Sequence, residues 1–294
     1  MTPRNSPTVW RRWLAAELKG LREAKGLHQK DVGRECGWSG ARLSYLEHGQ
    51  QVPTEDDLDQ LLPLYGVAGD EVSRFYEAIK FAAEKGWWER TDERDMPKYL
   101  RDFVGLEQGA SVIRAVEPYT IPGLLQTPSY TIANVGNDVT PRTERQIRRI
   151  ADLRVRRQAV LAAKEPAEFD AVIDESVLHR VVGDAKVMAA QLDHLAVMNK
   201  RPNINIRVFP FERGSHPAMV GSYRILAFED LAPILYLEHR SGAAYHDDAA
   251  TVEEHLLAFG DLAAKALPAE RSAAIVEEMA ATYRERVRKL SDTS

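Results

Sequence analysis

The sequence predicts two folded parts. The first is an all-α head of five helices around a helix-turn-helix; the second is an α+β domain with a mostly antiparallel sheet. Three observations predict this. Two short helical stretches flank Gly37-Trp38 between Gln29 and Glu47. Apolar residues recur at helical spacing through residues 9–85, with capping signals between the runs. Beyond residue 110, short β-rich runs such as Asn203–Phe209 alternate with helical segments, and two of them follow one another across a short turn. The expected divisions are a head over 9–85, a junction over 86–98 and a second domain over 99–290.

Composition narrows the classes. The 294 residues are 44% hydrophobic and 28% charged, as in soluble globular chains. No apolar run approaches the roughly 20 residues of a membrane span, and the N-terminal stretch lacks a signal-peptide core. A cytoplasmic location and no membrane partner are therefore expected. The single cysteine, Cys36, excludes an internal disulfide and a CxxC metal site. Net charge is −5, yet residues 1–52 hold nine Lys/Arg against five acids, while residues 53–73 hold six acids and no base. The positive footprint thus falls on and before the helix-turn-helix, as a local nucleic-acid surface requires.

In the head, Val9–Lys25 sets Trp13, Leu14, Leu18 and Leu21 on one helical face and ends at Gly26. Gln29–Cys36 forms the next helix. Gly37 stands where a left-handed residue is wanted, because glycine adopts it without a Cβ penalty. Ser39 is placed as the N-cap of a helix running to about His48. Gly33, mid-helix, costs about 1 kcal/mol against alanine, which suits a close crossing of the second helix. Val32, Trp38, Leu43 and Leu46 fall inward. In such a pair the second helix enters the DNA major groove. Thr54 with Asp57 begins a fourth helix as a capping box, and Pro63 predicts its kink or early end. Asp70–Lys85 is the fifth, with Val72, Phe75 and Ile79 on one face.

In the second part, Gly86-Trp87-Trp88 and the polar residues 91–98 form the junction, and a helix over Tyr99–Ala110 follows. Val112–Val116 is a short strand and Pro122–Thr127 an irregular, proline-bounded segment. Thr140–Ala163 is a long basic helix, read as a solvated face with acidic partners in preference to a second nucleic-acid surface. Phe169–Ile173 is a strand, Asp184–Asn199 a helix and Asn203–Phe209 a strand. Gly221–Glu229, Pro233–His239 and Ala243–Tyr245 are further strands, and two helices over 248–266 and 268–290 close the chain.

Arg22-Glu23-x-x-Gly26-Leu27-x-Gln29, Trp38-Ser39 and Leu43-Ser44-x-Leu46-Glu47-x-Gly49 together resemble the lambda-repressor-like (XRE) domain over residues 9–67. The resemblance implies a structural ion pair between Arg22 and Glu47. The later motifs include Phe103-Val104-Gly105-Leu106-Glu107, Pro122-Gly123-Leu124-Leu125-Gln126-Thr127, Asp174-Glu175, Arg201-Pro202-Asn203 and Gly214-x-His216-Pro217. They resemble the C-terminal domain of actinobacterial XRE regulators described as Scr-family antitoxin-like. That likeness implies a small protein encoded nearby as a partner.

The expected activity is sequence-specific binding of double-stranded operator DNA by a homodimer. The expected contacts are Gln29 and Lys30 at the first helix of the motif, then Ser39, Gly40, Ala41, Arg42, Ser44 and Tyr45. Arg42 is the foremost base reader, since a guanidinium can bond guanine O6 and N7 together. Many relatives carry long polar side chains near Gly40 and Ala41, and this chain departs there. Enzymatic chemistry is not expected. His216, His239 and His246 lack zinc-ligand spacing, and Ser215-His216 with Asp174-Glu175 lacks the Gly-x-Ser-x-Gly turn. No metal and no cofactor are expected. The Gly214–Gly221 segment is either a connecting loop or the lip of a cleft for a small-molecule effector or the partner protein, with His216, Pro217 and Tyr223 as its candidates. An antitoxin-like protein-binding module and an enzyme with a DNA-binding head are the alternatives.

Overall fold

The computed structural model of the chain describes residues 6–39, 41–92 and 96–292. They form two compact units. The first takes in residues up to 92 together with 101–109 and 228–231, and the second holds the rest.

The first unit contains α1 (Pro7–Ala24), α2 (Gln29–Glu35), α3 (Arg42–Glu47), α4 (Glu55–Tyr65) and α5 (Asp70–Ala83), then a 3-10 turn at Trp87–Arg90. Their inner faces meet in a core of Trp13, Leu14, Leu18, Val32, Leu43, Leu46, Leu58, Leu61 and Phe75. Trp13 packs on Phe75 with ring centroids 5.2 Å apart, and Trp10 stacks on Phe81 at 5.4 Å. The capping box is present, with the Thr54 hydroxyl accepting from Asp57 N–H and the Asp57 carboxylate accepting from Thr54 N–H. Pro63 does not end α4 early: the helix continues to Tyr65 and is closed by Gly66 at φ 73°.

Helix α6 (Lys98–Gly109) follows the junction, and Met96 before it is buried. Its two glycines have a packing reason. A Cβ on Gly105 would lie 2.6 Å from Thr8 Cβ, and one on Gly109 would lie 2.8 Å from Ser6 Cβ. The start of α1 therefore rests directly on the backbone of α6. Trp88 is buried beside them and donates its indole N–H to Thr8 Oγ1 at 3.2 Å.

The second unit is built on a six-stranded mixed sheet of order β3-β2-β1-β4-β5-β6. Its strands are β1 (Val112–Glu117), β2 (Glu168–Asp174), β3 (Ile204–Phe209), β4 (Tyr223–Ala227), β5 (Ile234–His239) and β6 (Gly242–His246). Three pairings are antiparallel: β1 with β4, β4 with β5, and β5 with β6. The other two, β1 with β2 and β2 with β3, are parallel. Parallel neighbours need long crossovers. Helices α7 (Pro128–Gly136) and α8 (Glu144–Arg157) supply the first crossover, α9 (Ser176–His179) and α10 (Ala185–Met198) the second. Helices α11 (Ala249–Lys265) and α12 (Ala269–Ser291) end the fold. Val116, Val172, Ile225 and Leu235 pack with Val252, Phe259 and Leu262 of α11. On β3, Val208 N–H donates to Ser272 Oγ of α12 at 2.9 Å.

The basic helix is shorter than expected, because the Thr143–Gln146 capping box starts it and a 3-10 turn at Gln158–Leu161 follows it. Nor is it a uniformly solvated face. Arg142 and Arg148 pair with Asp138 and Glu144 on or just before the same helix. Arg157 is buried, and Arg154 turns inward to donate to Gln126 Oε1. Desolvation, then repulsion from Arg157, lowers the Arg154 pKa to about 10.

Candidate DNA-binding surface and a cleft at the strand ends

Helices α2 and α3 are joined by a tight reversal. Gly37 sits at φ 65° while Trp38 N–H donates to Gly33 O at 2.7 Å and Gly37 N–H to Arg34 O at 3.2 Å. These are the paired bonds of a glycine-terminated helix. The reversal turns Val32, Leu43 and Leu46 into the core. Two sequence expectations change here. The second helix starts at Arg42, so Ser39 is not its N-cap; instead the Ser39 carbonyl accepts from Arg42 N–H at 3.1 Å. Gly33 is not forced by a close crossing either, since a Cβ there would meet only Trp38 O at 3.8 Å.

A buried ion pair locks α3 to α1. Arg22 Nε donates to Glu47 Oε1 at 2.6 Å and Nη2 to Oε2 at 2.9 Å, a bidentate fork. Arg22 Nη1 also donates to Leu27 O at 2.7 Å. The hydrogen bond to Glu47 raises the Arg22 pKa against the opposing effect of burial. Gln29 joins this cluster, its Nε2 donating to Glu47 Oε2 at 2.7 Å. Its side chain is therefore turned to the ion pair.

Lys30, Ser39, Ala41 and Tyr45 are exposed and Ser44 is half-buried on the same stretch. Gly40 lies outside the described residues. Arg42 is held from two sides: its guanidinium lies 5.0 Å from the Trp38 ring centre, and Nη2 donates to Asp57 Oδ1 at 2.6 Å.

The second unit carries a cleft of about 410 Å³, within the span of roughly 300–1,000 Å³ typical of small-molecule sites. It opens where the three parallel strands end. Tyr119 follows β1, Asp174 and Ser176 lie at the end of β2, and Phe211 and His216 follow β3. Ligands of open α/β sheets bind outside the carboxyl ends of parallel strands. Hydrogen bonds tie these loops together. Phe211 N–H donates to Glu175 Oε2 at 2.8 Å, and Tyr119 OH to Met219 O at 3.3 Å. At the floor Ser176 N–H donates to Asp174 Oδ1 at 2.8 Å, and His216 Nε2 lies 3.1 Å from Asp174 Oδ2. The His216 side chain is 6% exposed and packs against the Phe209 ring, and its Nδ1 is buried with no partner.

The expected cleft residues divide. His216 lines the cleft. Pro217 begins the adjacent 3-10 turn, and Tyr223 is a core residue, its OH donating to His255 O at 3.3 Å. Tyr119 and Phe211, which also line the cleft, were not among the expected cleft residues; both follow predicted strands. Ser215 is exposed, and Asp174 engages His216 through Nε2, the nitrogen that a Ser–His–Asp triad turns to its nucleophile, while Nδ1 is buried. Among the described residues no three His, Cys, Asp or Glu are grouped to hold a metal, and no helix is long and apolar enough to cross a membrane.

Residues 13–75 match the helix-turn-helix domain, and residues 100–278 match a domain of unknown function, DUF5753. No curated protein and no solved structure matches the chain. With more than half its length in the second match, this chain belongs to the DUF5753 family, and its helix-turn-helix head makes it a DNA-binding regulator.

Proposed function

We propose that the chain is a sequence-specific, lambda-repressor-like transcriptional regulator acting in the cytoplasm. A homodimer would place two α3 helices in successive major grooves, with half-sites about one helical turn apart. Its second unit senses a small-molecule effector through the strand-end cleft and has no catalytic task. The observation that carries DNA binding is α3 itself: the Arg22–Glu47 fork fixes its inner side, leaving Tyr45 and the preceding Ala41 outward, with Lys30 exposed on α2. Selection of bound duplexes from a random pool, followed by mapping of occupied genomic sites, tests it. Enrichment of one palindromic motif is expected; recovery of unselected sequence would overturn it.

A second reading is an antitoxin-like module that binds a small protein encoded nearby and uses DNA binding for autoregulation. It is favoured by the exposed apolar side chains Phe211, Met219 and Val220, the last 91% exposed. Co-purification of the neighbouring gene product with the full chain would support it, and its absence from the purified complex would remove it.

A further inference from the structure

The cleft at the ends of β1, β2 and β3 has a polarity that names the chemistry of its ligand. Its inner end holds an acceptor, the Asp174 carboxylate. Asp174 receives one hydrogen bond from Ser176 N–H and one from His216. A carboxylate offers about four lone-pair sites, so acceptor capacity remains. The Ser176 hydroxyl leans towards Pro118 O at 3.5 Å, away from service as a free donor. His216 Nδ1 is buried and closed off from the cleft, so the Asp174 carboxylate is the acceptor at this end. The outer end is apolar and flat-sided: Tyr119, Phe211 and Met219 stand 52%, 56% and 62% exposed around the opening. Arg180 also borders the cleft, but it is exposed, so solvent screens it. An anion drawn to Arg180 would also face the Asp174 carboxylate.

We propose that this cleft takes a small, planar, largely apolar molecule that presents an O–H or N–H donor to Asp174. The aromatic and thioether side chains at the rim would cover its faces, and the carboxylate would select the donor at its inner end. The inference rests on the reading of the second unit as a ligand-sensing module and adds the class of ligand to it.

Titration calorimetry of the full chain with three naphthalene probes tests this. 2-Naphthol carries the donor, 2-methoxynaphthalene replaces it by an acceptor only, and 2-naphthoate carries an anion. The expected result is 2-naphthol binding at least about ten-fold tighter than either of the others, the scale of a hydrogen bond to a charged acceptor. Asp174→Asn should erase most of that preference. Phe211→Ala, at an exposed position that leaves folding intact, should weaken 2-naphthol and 2-methoxynaphthalene alike. Equal binding of the three probes, strongest binding of 2-naphthoate, binding of none, or a preference that survives Asp174→Asn would each overturn the proposal. A parallel DNA titration with saturating 2-naphthol separates the two readings. Discrimination among probes with unchanged DNA affinity keeps the ligand class and removes the sensing role. Altered DNA affinity without discrimination overturns the ligand class alone.

Discussion

Arg42 and Asp57 are joined across the motif, with Nη2 of the one 2.6 Å from Oδ1 of the other. The pair is unequal: Arg42 is 44% exposed and Asp57 3%. The second oxygen of Asp57 accepts from Thr54 N–H and Thr54 Oγ1, both at 2.9 Å. One buried carboxylate thus starts α4 and aims the first residue of α3. The side chain that the sequence marks for reading bases is held in place before any DNA arrives.

Arg42→Ala is therefore expected to have two effects. Loss of a bidentate guanine contact should cost about 1–3 kcal/mol on the cognate site and relax specificity there. Loss of one partner of Asp57, which is buried but still accepts from Thr54, should cost about 1–3 kcal/mol of stability. Binding titrations on cognate and random duplexes, read beside urea denaturation, separate the two. Equal losses on both duplexes would reassign Arg42 to phosphate.

Arg22→Ala removes one half of a bidentate pair whose other half, Glu47, is buried. An uncompensated buried charge costs about 3–5 kcal/mol, so the melting midpoint of the head should fall steeply. Arg22→Lys should rescue it poorly, because an ammonium cannot reproduce the planar fork. A midpoint unchanged by Arg22→Ala would show that the fork does not hold α3.

Two glycine substitutions should move stability in opposite directions. Gly33→Ala adds a methyl with nothing nearer than Trp38 O at 3.8 Å and should stabilise α2 by up to about 1 kcal/mol. Gly105→Ala sets a Cβ 2.6 Å from Thr8 Cβ, and overpacking of this kind costs about 1–3 kcal/mol. Denaturant midpoints of the two variants check the contrast; the same sign for both would refute it.

Asp248 caps α11, its Oδ1 accepting from Thr251 N–H at 2.9 Å, and hydrogen bonding from the Thr251 side chain, then from this N–H, lowers its pKa from 3.8. A lowered folded-state value contributes stability above the unfolded value, and that contribution is lost as pH falls through the folded one. The melting-temperature advantage of the wild type over Asp248→Ala should hold at neutral pH. It should shrink below the ordinary aspartate range in melts run from pH 7 to pH 3. An advantage that persists undiminished there would mean the cap works without its charge.

The head was legible because its determinants are local: Gly37, Thr54 with Asp57, and apolar spacing lie within a turn or two of what they fix. The start of α3 was misplaced because Ser39 has the chemistry of a cap but its side chain is not used as one. In the second unit two of the three antiparallel pairings, β4 with β5 and β5 with β6, were legible from closely spaced strands. The parallel half was written less plainly, in the strand–helix–strand spacing from Val112 to Phe209 and in Ala171-Val172-Ile173, buried without alternation because both sheet faces are covered. Missing that hides the cleft, since Tyr119, Asp174 and Phe211 meet only when their strands run side by side. His216, singled out by residue type, lines the cleft, and Tyr223, singled out in the same way, lies in the core.

The bare backbone that α6 offers to the start of α1 decides where this chain can be cut. A fragment ending at residue 92 keeps every helix of the head up to α5, yet it strips the cover from Ser6, Thr8 and Val9. Such a fragment should expose an apolar edge and aggregate, whereas a recombinant head must carry residues 101–109 to be handled alone.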